Sequence, residues 1–189
     1  DLLKKTNNVL TTENNKIRPY DNSGLPGGIV ILKPNIPTII VSDIHARLDY
    51  VMSILFNEDM LQYTILEKLA LDLVQIVCVG DGVHAESRAA KRWTAAFEEY
   101  KNGYISHKNI DDEMRESFGV MEMIMELKNT FPNNFHFLKG NHENITNEKG
   151  GGNHPFMKFA HEGPMIDYYV KKFYGEETSQ QYYNFEKRF

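Results

Sequence analysis

Val74-Gln75-Ile76-Val77-Cys78-Val79-Gly80-Asp81 has the form of a buried strand that ends in a polar turn. Its first six residues are mostly β-branched and nearly all apolar, as a strand covered on both faces requires, and the glycine and carboxylate then break the run. The same form occurs twice more. Thr38-Ile39-Ile40-Val41 leads into Ser42-Asp43-Ile44-His45, and Phe135-His136-Phe137-Leu138 leads through Lys139 into Gly140-Asn141-His142-Glu143. Between these runs apolar residues recur at helical spacing. Leu48, Val51, Met52 and Leu55 mark one helix, and residues 61–71 a second. Ala89, Trp93, Ala96 and Tyr100 mark a third, and residues 112–128, with Phe118, Met121 and Met125 on one stripe, a fourth. Strand, polar loop and helix alternate, so the expected fold class is α/β, a central sheet with helices on its faces. Ligands of such folds bind beyond the carboxyl ends of the strands, where all three polar clusters fall.

Working outward, Ile29-Val30-Ile31-Leu32 reads as a further short strand, set off from Thr38 by Pro34 and Pro37. Residues 1–28, rich in Asn, Thr and Gly, read as an irregular lead-in to one domain over 29–189. A chain of 189 residues can bury a core of its own, and 41% hydrophobic with 25% charged residues is ordinary globular composition. The net charge of −5, with no block of lysine or arginine, argues against a nucleic-acid partner. No apolar segment reaches membrane-spanning length and no secretory leader is visible, so no membrane partner is expected. The single cysteine, Cys78, lies inside an apolar run and reads as a small buried hydrophobe; a reducing, cytoplasmic setting is the default. The chain opens on Asp1 rather than methionine, and the expectation is that the natural N-terminus lies upstream.

The chemistry sits at the strand ends. Residues two apart on an extended strand point the same way, so Asp43 and His45 can reach one ion. Asp81 offers a second carboxylate, with Gly80 leaving room for close approach, and Asn141 a neutral oxygen. His142 can give a proton. Each cluster alone is a common turn; three strand ends all carrying oxygen and imidazole donors point to a metal such as Mn, Fe or Zn rather than a soft one.

In this ordered set, Ser42-Asp43-Ile44-His45, Val79-Gly80-Asp81-Gly82 and Lys139-Gly140-Asn141-His142-Glu143 resemble the first three signature motifs of the calcineurin-like metallophosphoesterases. Asp-Ile-His, and Leu138-Lys139 before the third motif, are most similar to the phosphoprotein phosphatase branch, which acts on phosphoproteins or dinucleoside polyphosphates. The resemblance implies a metallophosphoesterase β-sandwich flanked by helices, of which this chain carries the N-terminal half. It also implies a phosphoester hydrolase with two divalent metal ions. Asp43 and His45 would bind the first, Asp81 would bridge both, and Asn141 would bind the second. A metal-activated water would attack phosphorus, and His142 would protonate the leaving oxygen.

The chain departs from that branch in two places. Where the branch continues Gly-Asp-x-Val-Asp-Arg-Gly, this sequence reads Gly80-Asp81-Gly82-Val83-His84-Ala85-Glu86. His84 stands for the aspartate that orients the catalytic histidine, and Ala85 for the arginine that grips phosphate. Glu86 can orient His142 instead, with His84 supporting it, and Arg88, Arg92 or Arg47 can grip the phosphate. The family also needs two further histidines on later strands. Only His154 and His161 follow the third motif, and both read as loop or surface residues, so the dinuclear site is expected to be incomplete and the chain a fragment. The competing reading is a catalytically degenerate fold that serves as a metal-binding or protein-interaction module.

Overall fold

The computed structural model describes residues 1–60, 62–145 and 155–188. Its centre is a sheet of three parallel strands: β1 (Thr38–Val41), β2 (Gln75–Cys78) and β3 (Phe135–Phe137), in the order β1-β2-β3. Val41 pairs with Cys78, and Cys78 with Phe137, so the three strands end side by side. The middle strand is buried at every residue, which is why it reads as an unbroken apolar run. Cys78 is among its core residues, and burial pushes its thiol up to about 12. The described residues contain one sheet, small and parallel and flanked by helices, in keeping with the expected α/β class.

The helices are α1 (Leu2–Thr11), α2 (Leu48–Leu55), α3 (Ile65–Ala70), α4 (Ala90–Lys101), α5 (Lys108–Thr130), α6 (Glu162–Tyr174) and α7 (Glu176–Glu186). The 23-residue α5, about 35 Å long at 1.5 Å per residue, is the spine: α1, α2, α4 and β3 all pack on it. Trp93 and Ala96 of α4 and Met114, Met121, Ile124 and Met125 of α5 are buried, so the methionines serve as core. No helix among the described residues is long and apolar enough to cross a membrane.

Four expectations are corrected. The lead-in is not irregular throughout: 2–11 is a helix, because Leu10 and Thr6 are buried where α1 docks on α5 and α7, and Asn7 donates to the Gln181 carbonyl at 2.9 Å. Ile29–Leu32 joins no strand. The Ile31 N–H goes to the Ile17 carbonyl and the Lys33 N–H to the Gln75 side chain, while the flanking prolines have no N–H to extend a ladder. The fourth helix starts at Lys108, not 112, because the Glu99 carboxylate on α4 accepts the N–H groups of Asn109 and Ile110 at 3.0 Å each and caps it from a distance. The helix expected over 61–71 narrows to α3, whose start is set by a capping box between Thr64 and Glu67; Leu61 lies outside the described residues.

Candidate metal and phosphate site

Parallel strands put their carboxyl ends on one edge, and two glycines let the loops there touch. A Cβ on Gly80 would lie 2.2 Å from the Gly140 amide nitrogen, and one on Gly140 would lie 2.2 Å from Asp81 Oδ1. The contact is fastened by Glu143, which is fully buried. Its carboxylate accepts the N–H groups of Asp81 (2.7 Å), Gly82 (2.8 Å) and Gly140 (2.9 Å). Burial still pushes that carboxyl up to about 7 against the pull of the three donors. Asp81 Oδ1 in turn accepts the His142 N–H at 2.9 Å, and the Asp81 carbonyl accepts the His45 N–H at 2.7 Å. All three loops are thereby joined. The backbone is strained where they meet: among the described non-glycine residues, His45, Ala46, Asp81, His84 and Glu86 all have positive φ.

This scaffold draws Asp43, His45 and Asp81 together, with one ligand atom of each within 4.8 Å of the others. His45 Nε2 faces Asp43 Oδ2 at 3.9 Å, and Asp43 is open to solvent while Asp81 is buried. The other ring nitrogen, Nδ1, faces Glu86 Oε1 at 3.7 Å, so His45 also belongs to a second trio with Glu86 and His142. His142 Nε2 lies 3.7 Å from the same Glu86 oxygen. Its ring stacks on Phe156 at 4.6 Å, and burial pushes its pKa down to about 4. Asn141 is exposed beside it. Buried His45 Nδ1, Glu86 Oε1 and His142 Nδ1 have no hydrogen-bond partner in the protein. Oxygen and imidazole donors with unpartnered buried atoms fit a divalent cation.

The residues that depart from the phosphatase pattern have defined places. His84 is fully buried between Trp93 (5.0 Å) and Phe159 (5.7 Å) and meets the His142 ring edge-on. Its Nδ1 accepts the Glu86 N–H at 3.2 Å, which leaves the proton on Nε2, 3.5 Å from Glu162 Oε1. Ala85 is also fully buried, and its N–H goes to the Glu113 carboxylate at 2.8 Å. Glu86 lies among His45, His84 and His142, at 3.5–3.7 Å from each. Of the arginines, Arg88 donates to the His45 carbonyl at 2.9 Å and stands beside Glu116, Arg92 is held by Glu113 and Glu116, and Arg47 pairs with Asp49 at 3.1 Å.

A fourth group of residues escaped the sequence reading. The segment before α6 lays Phe156 on His142, Phe159 on His84 and the Lys158 ammonium on Glu86 Oε2. Fully buried Glu162 anchors it by accepting the N–H groups of Lys158 (2.8 Å), Phe159 (2.6 Å) and Ala160 (3.0 Å). Burial opposes ionisation of Glu162, but His84 and these N–H groups outweigh it and hold the carboxyl at about 2. The one local signal is the aromatic–basic–aromatic run Phe156-Met157-Lys158-Phe159. His161 is exposed at the start of α6 with its ring against Phe97, and His154 lies outside the described residues. A groove of about 490 Å³ lies elsewhere, between α1, α5, α6 and α7.

No curated protein and no solved structure matches the chain. The family model described as calcineurin-like phosphoesterase matches residues 36–188, a span that holds every strand-end cluster and the segment carrying Lys158. The chain belongs to the calcineurin-like phosphoesterase family.

Proposed function

We infer that this protein hydrolyses phosphate esters with a dinuclear centre of Mn, Fe or Zn, in the manner of the phosphoprotein phosphatase branch. Its substrate is a phosphoprotein or a nucleotide polyphosphate, and its setting is cytoplasmic. The observation that carries the reading is the convergence of Asp43, His45 and Asp81 at one point, with His142 tied to Asp81 through its own N–H. Asp43, His45 and Asp81 would hold one cation, and Asp81 and Asn141 would hold the second. The chemistry such cations would supply is neutralisation of phosphate charge and a lowered pKa for a water molecule.

The protein's own part is positional. Glu143 fixes Asp81 and the third loop relative to each other, so the carboxylate does not reorganise when a phosphate arrives. Phe156 holds the His142 ring, and Glu86 lies beside its Nε2, where the neutral ring stabilises the charge of the leaving oxygen through an N–H hydrogen bond. Metal analysis combined with turnover of p-nitrophenyl phosphate tests the reading. Metal-dependent hydrolysis is expected; bound cations with no hydrolysis of any phosphoester would instead make the chain a degenerate, metal-binding member of its family.

A further inference from the structure

A phosphoryl group entering this site needs a cation from the protein as well as from the metals, and the branch's usual source is missing. Ala85 stands at that position, sealed under the surface with its N–H on Glu113, so no side chain from there reaches a ligand. Arg92 is held between Glu113 and Glu116, Arg47 pairs with Asp49, and Arg88 spans the His45 carbonyl and Glu116. Lys158 differs from all three. Its ammonium rests on Glu86, the carboxylate whose other oxygen lies among His45, His84 and His142. The lysine side chain is 45% exposed, so a ligand has access to it. Its backbone is fixed by the bond from its N–H to Glu162, which leaves a flexible stem on a rigid base.

The charges explain why a cation belongs there. A phosphate monoester dianion approaching Asp43, His45 and Asp81 meets Glu86 as an extra negative charge 3.7 Å from His45 Nδ1. Lys158 cancels that charge. An ammonium is a compact point charge with three rotatable donors, so it can keep one bond to Glu86 and give another to a phosphoryl oxygen.

We propose that Lys158 is the phosphate-binding cation of this site, reaching the phosphoryl oxygens of a phosphate monoester from its seat on Glu86. The proposal rests on the phosphoesterase reading above. Inorganic phosphate is the probe, titrated calorimetrically into Mn²⁺-loaded wild-type protein and the variants Lys158→Ala, Lys158→Arg and Glu86→Gln, with bound Mn²⁺ measured in the same samples. Losing one charge-assisted bond should weaken phosphate binding by about tenfold or more in Lys158→Ala. Lys158→Arg should stay within about threefold of wild type, because it keeps the charge. Glu86→Gln keeps an amide oxygen as the acceptor for the Lys158 ammonium and removes the competing anion, so per bound Mn²⁺ it should bind phosphate as well as or better than wild type. Unchanged phosphate affinity in Lys158→Ala overturns this proposal alone. So does loss of Mn²⁺ along with phosphate in that variant, or equal weakening in Glu86→Gln, since each would make the pair a structural prop. Wild-type protein that holds Mn²⁺ and binds no phosphate overturns the functional reading as well.

Discussion

Replacing Gly140 with alanine tests whether the site depends on direct contact between its second and third loops. The added Cβ would lie 2.2 Å from Asp81 Oδ1, 2.4 Å from the Asp81 amide nitrogen and 2.7 Å from Asp81 Cγ. Ordinary contact is about 3.5 Å, so the overlap with the backbone nitrogen is about 1 Å, and no rotation of the Asp81 side chain removes it. The loops must part by that amount. Three bonds cross the gap: from the N–H groups of Asp81 (2.7 Å) and Gly82 (2.8 Å) to Glu143, and from the His142 N–H to Asp81 (2.9 Å). Stretched by about 1 Å, none remains a hydrogen bond. Each has a carboxylate acceptor and is worth about 1.5 kcal/mol or more, so with partial relaxation the loss is roughly 3–5 kcal/mol. For a chain of this length that lowers Tm by roughly 10 °C, measured by thermal unfolding, and Mn²⁺ content should fall as Asp81 moves. The same change at Gly119 is the control, because a Cβ there has nothing within 4 Å and the residue lies inside α5. It should raise stability by about 0.5–1 kcal/mol through helix propensity. A Gly140→Ala protein with wild-type Tm and full Mn²⁺ content would refute the loop contact.

Three further outcomes are expected. Asp81→Asn keeps an oxygen for the His142 N–H, so its Tm should stay within about 2 °C of wild type while hydrolysis of p-nitrophenyl phosphate falls on the order of 100-fold; an unchanged rate would remove Asp81 from the machinery. Chelation of divalent metal should lower Tm, by about 2.7 kcal/mol worth of stability where the free cation had stood at 100 times its Kd, and a scan unaffected by chelator would argue against a resident cation. His136 is buried on β3, and burial brings its pKa down from 6.5 to about 4. Below pH 6.5 the unfolded chain takes up that proton before the folded one, so stability present above pH 6.5 is lost as pH falls toward 4, by roughly 3 kcal/mol in all. Denaturant melts at pH 7 and pH 5 should show a smaller difference in His136→Gln than in wild type, and equal differences would place the pH dependence elsewhere.

What the sequence made legible is what short-range chemistry controls. β1, β2 and β3 announce themselves because β-branched and aromatic residues run together and stop at Ser, Gly or Lys. Asp43, His45, Asp81 and His142 stood out because three strand ends carry oxygen and imidazole donors together, although each cluster alone is a common turn. α1 was hidden because Asn, Lys and Thr dominate it, and its order comes from α5 and α7 rather than from propensity. The start of α5 was hidden because its cap is Glu99, a residue of the preceding helix. Glu86 was visible as a candidate partner for His142, but nothing local revealed that it also faces His45 and His84. Arg88 and Arg92 were candidates to grip phosphate, but their acidic partners Glu113 and Glu116 sit more than twenty residues later on α5. Lys158 was missed for the converse reason: it lies 72 residues from Glu86 and is carried to it by Glu162.

The two departures from the phosphatase pattern form one rearrangement. Histidine in place of the aspartate removes a carboxylate from the loop after β2, and alanine in place of the arginine removes a cation. In the reading proposed above, Glu86 and Lys158 restore one of each, as an ion pair whose carboxylate lies beside His142. The vacated positions take on packing roles in exchange. His84 is clamped between Trp93 and Phe159, and Ala85 is small enough for α5 to close over the loop through Glu113. The exchange carries a dependence, because a carboxylate two residues further on keeps its place only while something fixes the backbone between. Ser117 and Glu113 do so by accepting the His84 and Ala85 N–H groups, and the restored cation keeps its place through the three N–H groups on Glu162. A site of this design therefore draws its local charge balance from α5 and α6 as well as from the strand ends. Removing the Glu162 carboxylate should loosen Lys158 while leaving Asp43, His45 and Asp81 held by the contacts among the strand-end loops.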